Sequence, residues 1–398
     1  MGRLHRFWER LLIAIFIVAL AIPGVATIAG IDRPDAVSEN RTLVPFPTLR
    51  WNPESLQAFP DAFMKYFEDN FSFRTRLVKW QATFRFHELR VSPSPAVITG
   101  RDGWLFYADD GAVQDFVDAT PFTDEQLEQW RQTLEHTRDW LAHRGIRYVF
   151  VIAPDKHVVY PELMPATVHR LHDGSRTDQL VRYLNAHSTV DVVDLRPALL
   201  HERNRERLYH RTDTHWNDLG AWIGYDEIVS RLNVQGVRSV PRSSFAERDV
   251  VTAGMDLAGM LGLKDDLAEN DLQLVPHQQR MARVVEPVHP SDHLMDARVV
   301  TTHPNRALPR LVMFRDSFAS ALIPFLSEHF SRAVYLWQYN FDPAVVESEH
   351  PDVVIEEWVG RKLNVQWPYD AVADLARVEG IKDQGYTYRS GAAMSTRR

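Results

Sequence analysis

Helical and strand-like hydrophobic patterns alternate along the chain from residue 123 onward. Leu127, Trp130 and Leu134 recur on one helical face, and Thr123 with Gln126 forms a capping box at its start. Further helices are predicted over 176–187, 217–232 and 318–330. A continuous apolar run of strand length lies at 146–153, and further short strands rich in apolar residues are predicted at 190–195, 309–314, 332–337 and 351–356. Short apolar strands that alternate with helices predict an α/β domain with a mostly parallel sheet.

The stretches on either side of this pattern are less regular. Residues 100–107 predict a turn and a short strand, whereas residues 236–308 contain only scattered apolar runs. Residues 32–60 are rich in proline and predict an extended linker, and residues 61–90 carry aromatic side chains at helical spacing. The tail from residue 386 is predicted to be disordered.

Residues 11–31 carry no charge and follow Arg3, Arg6 and Arg10. As a helix this run is roughly 31 Å long, close to the thickness of a bilayer core. The preceding positive charges predict that the N-terminus stays in the cytoplasm and that the rest of the chain is exported. We predict that this helix is an uncleaved anchor. The alternative is a signal peptide that is cleaved after the small-x-small sequence 19–21.

The chain therefore divides into four predicted regions. They are a membrane anchor or signal peptide (1–31), a linker with a packing helix (32–94), a catalytic domain (95–385, with an irregular insertion at 236–308) and a disordered tail (386–398).

Composition narrows the possible chemistry. The 398 residues are 25% charged and 45% hydrophobic, which excludes wholesale disorder and a polytopic membrane protein. The net charge of −8 gives no indication of nucleic-acid binding. The absence of cysteine excludes thiol nucleophiles and thiolate metal sites. Seventeen histidines permit a metalloenzyme, but no HExxH-like spacing and no glycine-rich dinucleotide loop is present, so we expect neither a metal nor a cofactor.

Two polar clusters lie where strands meet helices. Ser317 follows an apolar strand directly and is placed as a nucleophile, although Ser317 or Asp316 could instead cap the next helix. Asp213 and His215 precede a helix and are two residues apart, so on an extended segment both project to the same side. Such a pair can act as base and orienting carboxylate for a serine. The alternative is a helix start capped by Thr214 or Asn217, with His215 on the surface.

A third polar cluster follows the strand at 146–153. Lys156, His157 and Tyr160 are candidates for binding substrate or an anion, and a solvated loop is the alternative. Trp216 and Asn217, which follow His215, are further candidates for substrate binding.

Five segments between residues 95 and 360 resemble, in chain order, motifs of the alginate O-acetyltransferase family: GRDGWLFY, VIAPDKHVVYPELMP, YHRTDTHWNDLGAW, LVMFRDSFASALIPFLSEHF and PDVVIEEWV. This resemblance implies a three-layer α/β/α SGNH-hydrolase-like sandwich behind an N-terminal transmembrane helix. It also implies Ser317 as nucleophile, His215 as base and Asp213 as orienting group. The sequence has RDS where SGNH hydrolases have GDS, so Arg315 replaces the glycine and is a further candidate for contact with substrate or the oxyanion. Only the Ser317 backbone amide is carried over as an oxyanion donor. We expect the membrane-anchored single-domain form, because the chain after residue 358 is too short for a carbohydrate-binding module.

The family resemblance implies an O-acetyltransferase that acylates a serine and passes the acetyl group to a polysaccharide hydroxyl. The expected partners are a polysaccharide acceptor, a multi-spanning membrane acyltransferase as acetyl donor, and the bacterial inner membrane, with the catalytic domain in the periplasm. An acetylesterase with the same triad and a non-catalytic polysaccharide-binding or secretion scaffold remain as alternatives.

Overall fold

The computed structural model describes residues 2–32, 43–172, 174–286 and 298–383. Two compact units divide the chain, Met1–Pro93 and Ser94–Arg398. The tail predicted to be disordered, 386–398, lies outside the described residues, as does the linker segment 33–42.

Where the structure describes the first unit, the chain forms three helices, α1 (Gly2–Ala29), α2 (Pro53–Asn70) and α3 (Arg74–His87). Within α1, His5–Thr27 is long and apolar enough to cross a membrane. The single helix predicted over 61–90 is two helices, because Phe73 adopts a left-handed conformation (φ 66°) that interrupts the helical backbone. The predicted linker is also shorter than expected, since α2 begins at Pro53, a residue type that suits the first turn of a helix.

The described residues of the second unit form eleven strands. They are β1 (Val97–Thr99), β2 (Leu105–Tyr107), β3 (Arg147–Ala153), β4 (Val192–Asp194), β5 (Phe245–Thr252), β6 (Glu269–Pro276), β7 (Arg283–Glu286), β8 (Arg298–Thr302), β9 (Arg310–Arg315), β10 (Arg332–Trp337) and β11 (Val353–Val359).

Its α-helices are α4 (Ala112–Val117), α5 (Asp124–Ala142), α6 (Lys156–Val159), α7 (Arg176–His187), α8 (Arg196–Glu202), α9 (Asp218–Leu232), α10 (Asp256–Met260), α11 (Ile323–Leu326), α12 (Pro343–Glu349) and α13 (Ala371–Asp383). Short 3₁₀ helices lie at Pro161–Leu163, Arg242–Ser244, Phe318–Ala321, Ser327–His329 and Gly360–Asn364.

Seven strands form the main sheet in the order β4-β3-β11-β9-β10-β8-β7. The first five are mutually parallel, and β8 and β7 extend the sheet in antiparallel pairing. Two separate hairpins pair β1 with β2 and β5 with β6. The sheet is therefore mostly parallel, as predicted.

Both faces of the central strands are buried. In β3, Val149 and Val151 face a core that also contains residues of α8 and α9, whereas Phe150 and Ile152 face a core shared with α5 and α7. A strand buried on both faces needs apolar residues at every position, which explains the continuous apolar runs in the sequence. The result is the predicted three-layer α/β/α sandwich.

Two regions differ from the sequence prediction. Residues 236–308, predicted to be irregular, contain four strands in the structure, and β7 and β8 join the main sheet. Residues 318–330, predicted as one helix, form α11 between two 3₁₀ helices. Pro324 has no N–H to donate to the preceding turn, so a regular helical hydrogen-bond ladder cannot pass through it.

Candidate active site

Asp213, His215 and Ser317 form one hydrogen-bonded chain. The Oγ of Ser317 lies 2.7 Å from Nε2 of His215, and Nδ1 of His215 lies 2.6 Å from Oδ1 of Asp213. An ionised carboxylate can only accept, so the Asp213 contact favours the tautomer with the proton on Nδ1. Nε2 is then free to accept the hydrogen bond of the Ser317 hydroxyl, as a general base must.

Asp213 is buried and binds its partner twice. Its Oδ1 also accepts the backbone N–H of His215 at 2.9 Å. Burial raises the pKa of Asp213, but the hydrogen bond and charge of His215 outweigh burial and hold this pKa at about 2. The carboxyl is therefore ionised at neutral pH and can stabilise a positive imidazolium.

Trp216 connects the segment that carries Asp213 and His215 to the segment that carries Ser317. Its buried indole donates from Nε1 to the carbonyl oxygen of Phe318 at 3.1 Å. The ring of Phe318 lies 4.9 Å from the His215 imidazole and 5.2 Å from the Trp216 ring, between centroids. This packing fixes the imidazole plane relative to Ser317.

Asp316, rather than Ser317, caps the turn after β9. Its Oδ1 accepts the N–H of Phe318 at 2.8 Å, and its Oδ2 accepts the N–H of Val359 at 2.7 Å. Ser317 makes no side-chain capping bond, so its hydroxyl is available to His215. The helix-cap reading of the sequence therefore applies to Asp316.

A second carboxyl group contacts the turn that carries Ser317. Glu357, on β11, is fully buried and accepts the backbone N–H of Asp316 at 3.0 Å. Burial, followed by the charge of Asp316, raises the pKa of Glu357 well above its usual value. Both causes favour the neutral form of the Glu357 side chain beside Asp316.

Lys156 lies beneath the segment that carries Asp213. Its buried ammonium group donates to three carbonyl oxygens, those of His210 at 2.9 Å, Arg211 at 3.2 Å and Asp213 at 2.5 Å. Burial lowers the pKa of Lys156 to about 7. All three donor positions of the ammonium are directed at the backbone of this one segment.

Glu269 binds the N–H groups of the same segment. It accepts the N–H groups of Arg211 at 2.8 Å and Thr212 at 3.0 Å. Asp256 accepts the N–H of Thr214 at 2.8 Å and its hydroxyl at 2.7 Å. Side chains thus bind both the N–H groups and the carbonyl groups of the backbone around Asp213: Glu269 and Asp256 accept from the N–H groups, and Lys156 donates to the carbonyl groups.

The other sequence candidates have structural contacts. Tyr160 accepts the N–H of Leu208 at 2.9 Å, and Asn217 caps α9 by accepting the N–H of Gly220 at 3.0 Å. Arg315 is buried and donates to the Asp316 carbonyl and to Ser320 Oγ, both at 3.0 Å. The structure thus brings Asp213, His215 and Ser317 together and places Lys156, Tyr160, Trp216, Asn217 and Arg315 as supports around them.

Among the residues that the structure describes, two side-chain groups have the composition of a metal site. One is Asp213, His215 and Asp256, and the other is Asp115, Asp155 and His157. In the second group, His157 Nε2 lies 2.8 Å from Asp115 and Asp155 binds the guanidinium of Arg361 at 2.5 Å. In the first group, Asp213 binds His215 and the Asp256 carboxylate accepts from Thr214. Because the ligand atoms of both groups already have these partners, we assign no metal to either group.

Comparison with known proteins identifies the family. The domain described as "SGNH hydrolase-like domain, acetyltransferase AlgX" matches residues 97–334, more than half of the chain. The chain belongs to this family. The match spans β1 through the first half of β10 and contains Asp213, His215 and Ser317. It confirms the resemblance and the fold predicted from the sequence.

Two curated proteins share part of their sequence with this member of the AlgX acetyltransferase family. The chain is 31% identical over 167 residues to the probable alginate O-acetylase AlgJ of Pseudomonas aeruginosa, which covers 41% of this chain and 39% of that protein. It is 26% identical over 212 residues to the same-named protein of Pseudomonas putida, which covers 51% of each. The chain thus spans about half or less of the curated relatives that it matches.

A solved structure shows the same fold. Bacillus cereus PatB1 superposes with a TM-score of 0.50 at 14% sequence identity, over 68% of this chain and 97% of that chain. This likeness supports the SGNH-like architecture.

Sequence reasoning missed the residues that hold this family member's site in place. Glu357 could have been found, because two adjacent acidic residues interrupt an otherwise apolar strand at 356–357. Asp256 and Glu269 carry no such signal, since they lie in the region 236–308, where the sequence shows no regular pattern.

Proposed function

We propose that the chain is an O-acetyltransferase that acetylates hydroxyl groups of an exported polysaccharide through an acetyl-Ser317 intermediate. The hydrogen-bonded chain Asp213–His215–Ser317 is the observation that supports this assignment. The names of the AlgJ relatives support the acetyl group and the polysaccharide as reactants.

The first half of the reaction acylates the serine. Ser317 Oγ attacks the acetyl carbonyl carbon of the donor while its proton passes to His215 Nε2. Asp213 stabilises the resulting imidazolium, because its carboxylate is held against Nδ1. The donor's leaving group then departs with the proton from His215, and acetyl-Ser317 remains.

The second half transfers the acetyl group to sugar. A sugar hydroxyl gives its proton to His215 Nε2 and attacks the acetyl-serine carbonyl. The bond from Ser317 Oγ to the acetyl carbon then breaks, and His215 returns the proton to Oγ. The O-acetylated sugar leaves and the resting hydrogen-bonded chain is restored.

The oxyanion of both tetrahedral intermediates needs a donor next to the nucleophile. The N–H of Phe318 is already bound to Asp316 Oδ1, so the Ser317 N–H is the backbone donor that we assign to this role. Asp316 supports the assignment indirectly, because it fixes the turn in which that N–H lies.

The N-terminal helix supports a proposed location, and the family resemblance supports a proposed acetyl donor. We propose that His5–Thr27 spans the bacterial inner membrane once, with the residues after it in the periplasm. A multi-spanning membrane acyltransferase would supply the acetyl group from the cytoplasmic side.

Trapping of the acyl-enzyme tests the proposal. The full chain, its Ser317→Ala variant and its Ser320→Ala variant are incubated with an activated acetyl ester and analysed by mass spectrometry. Ser320 is the matched control, because it lies in the same turn and binds Arg315 rather than His215. We expect one added acetyl group on the wild type and on Ser320→Ala, and none on Ser317→Ala.

Two results would contradict the proposal. An adduct that persists in Ser317→Ala would move the nucleophile to another residue, and failure of all three proteins to consume the ester would favour a non-catalytic role. Addition of an oligosaccharide then separates transfer from hydrolysis: acetylated sugar supports a transferase, whereas free acetate alone indicates an esterase.

A further inference from the structure

Helix α3 carries an apolar stripe on its exposed face. Leu77, Trp80 and Phe84 follow the spacing i, i+3, i+7, which places them on one side of a helix. Their exposed fractions are 47%, 67% and 42%, whereas Ala82 and Phe86 on the opposite side are buried. The Trp80 and Phe84 rings stack at 5.7 Å between centroids, so the stripe presents a continuous aromatic surface.

This stripe begins next to the end of the candidate membrane span. The residues that join α2 to α3 bind the end of α1: Ser72 N–H donates to Thr27 Oγ1 at 2.8 Å, and Phe73 N–H donates to the Asp32 carbonyl at 3.1 Å. Arg76, in the first turn of α3, forms an ion pair with Asp32 at 3.1 Å. Because the candidate span ends at Thr27, these contacts hold the start of α3 where α1 would leave the bilayer.

The charge of α3 matches an anionic surface. The helix contains Arg74, Arg76, Lys79 and Arg85 and no acidic residue. Tryptophan is enriched at the boundary between lipid headgroups and acyl chains, and basic side chains near a membrane surface are attracted to anionic phospholipids. A helix with both features, tied to the end of a membrane span, fits a lipid interface.

We propose that α3 lies in the interface of the bilayer that α1 spans, on the side of the exported domain. Leu77, Trp80 and Phe84 enter the headgroup–acyl boundary, and the basic side chains of α3 lie near lipid phosphates. The chain therefore has a second membrane contact besides its span. This inference rests on the proposal that α1 spans the membrane.

Site-directed fluorescence in vesicles tests this contact. Because the chain contains no cysteine, a single introduced cysteine is the only thiol that a fluorescent probe can label. The full-length variants Trp80→Cys and Phe84→Cys are reconstituted without other proteins in vesicles of phosphatidylethanolamine and phosphatidylglycerol. Part of the lipid carries bromine atoms on the acyl chain close to the headgroup, where they quench nearby probes.

Two further variants provide the references. Ile17→Cys labels the middle of the candidate span, and Val251→Cys labels an exposed residue of the second unit, at 75% exposure. We expect the probes at positions 80 and 84 to be quenched several-fold more than the probe at 251. Replacement of phosphatidylglycerol by a zwitterionic lipid should reduce that quenching, because the attraction of the basic side chains is lost.

The reference positions separate the possible failures. If the probe at position 17 is quenched while the probes at positions 80 and 84 are quenched no more than the probe at position 251, the inference is overturned. The apolar stripe would then be assigned to contact with a protein partner. If the probe at 17 is not quenched either, the membrane-span proposal fails and the inference fails with it. Quenching at 80 that does not depend on phosphatidylglycerol would overturn the assignment of anionic lipid.

Discussion

The Trp216 indole donates a hydrogen bond to the Phe318 carbonyl oxygen, and this bond joins the histidine segment to the serine segment. His215 and Ser317 are the immediate neighbours of these two residues. The distance between the His215 imidazole and the Ser317 hydroxyl therefore depends on a contact that neither residue makes itself.

Replacement of Trp216 by phenylalanine should lower turnover while the fold is retained. Phe318 would be left with a buried carbonyl that lacks its partner, at a cost of about 1–3 kcal/mol, and the two segments could separate. A small misplacement of catalytic groups can reduce turnover by up to about 100-fold. Steady-state kinetics with an activated acetyl ester measure the effect.

Trp222→Phe is the matched control for this change. Trp222 lies on α9 and donates in the same way to the Val240 carbonyl at 3.0 Å, in another part of the domain. If both variants lose stability but only Trp216→Phe loses turnover, the contact acts on the site. Equal losses of turnover would mean that Trp216 acts only through general stability.

Asp213→Asn should reduce turnover by about 10⁴-fold if the proposed triad acts as triads generally do, because the imidazole loses its correct tautomer. The thermal midpoint of unfolding should change far less, since asparagine has the same shape. A rate close to that of the wild type would remove Asp213 from the mechanism and leave a Ser317–His215 pair.

Lys156→Met should loosen the segment that carries Asp213. Three carbonyl groups, of which that of Asp213 is buried, would lose their common donor. We expect both the free energy of unfolding and the turnover number to fall, with turnover reduced at least tenfold. The exposed Lys264 supplies the control Lys264→Met, which should change neither. A Lys156→Met enzyme with unchanged turnover would show that these hydrogen bonds do not position the triad.

Glu356 should make stability fall as the pH rises. Burial raises the pKa of this carboxyl from its usual 4.5 to about 7, although the hydrogen bond from Tyr148 lowers it. The folded state therefore holds a proton that the unfolded chain releases above pH 4.5, so the stabilisation is complete below 4.5 and is lost as the pH rises through 7. Over each pH unit in this range the free energy of unfolding falls by about 1.4 kcal/mol, which gives a total loss of roughly 3 kcal/mol.

Urea unfolding at several pH values measures this dependence. Glu356→Gln should unfold with a flatter pH dependence than the wild type, because glutamine does not titrate, whereas the exposed Glu347→Gln should follow the wild type. Parallel curves for the wild type and Glu356→Gln would contradict the assignment of a neutral buried carboxyl.

The sequence by itself determined the elements whose pattern is local. Strands β3, β9 and β11 are buried on both faces and are apolar along most of their length, with Glu356 and Glu357 interrupting β11. The capping pair Thr123–Gln126 marks the start of α5 in the sequence and in the structure. The order of the motifs was sufficient to indicate the family and the three-layer fold. Asp213, His215 and Ser317 could be selected because each lies at a junction next to a predicted helix or strand.

Tertiary structure decided what those patterns do not encode. Strand β7 has four exposed residues and no apolar run, so only its pairing with β8 makes it part of the sheet. The sequence presented Lys156 as a residue of a polar loop, and the fold places its ammonium beneath the backbone that carries Asp213. The bond from Trp216 to Phe318 likewise spans 102 residues of chain. Contacts of this kind form between segments that are far apart in the sequence. The local pattern of apolar and polar residues does not specify which distant segments meet.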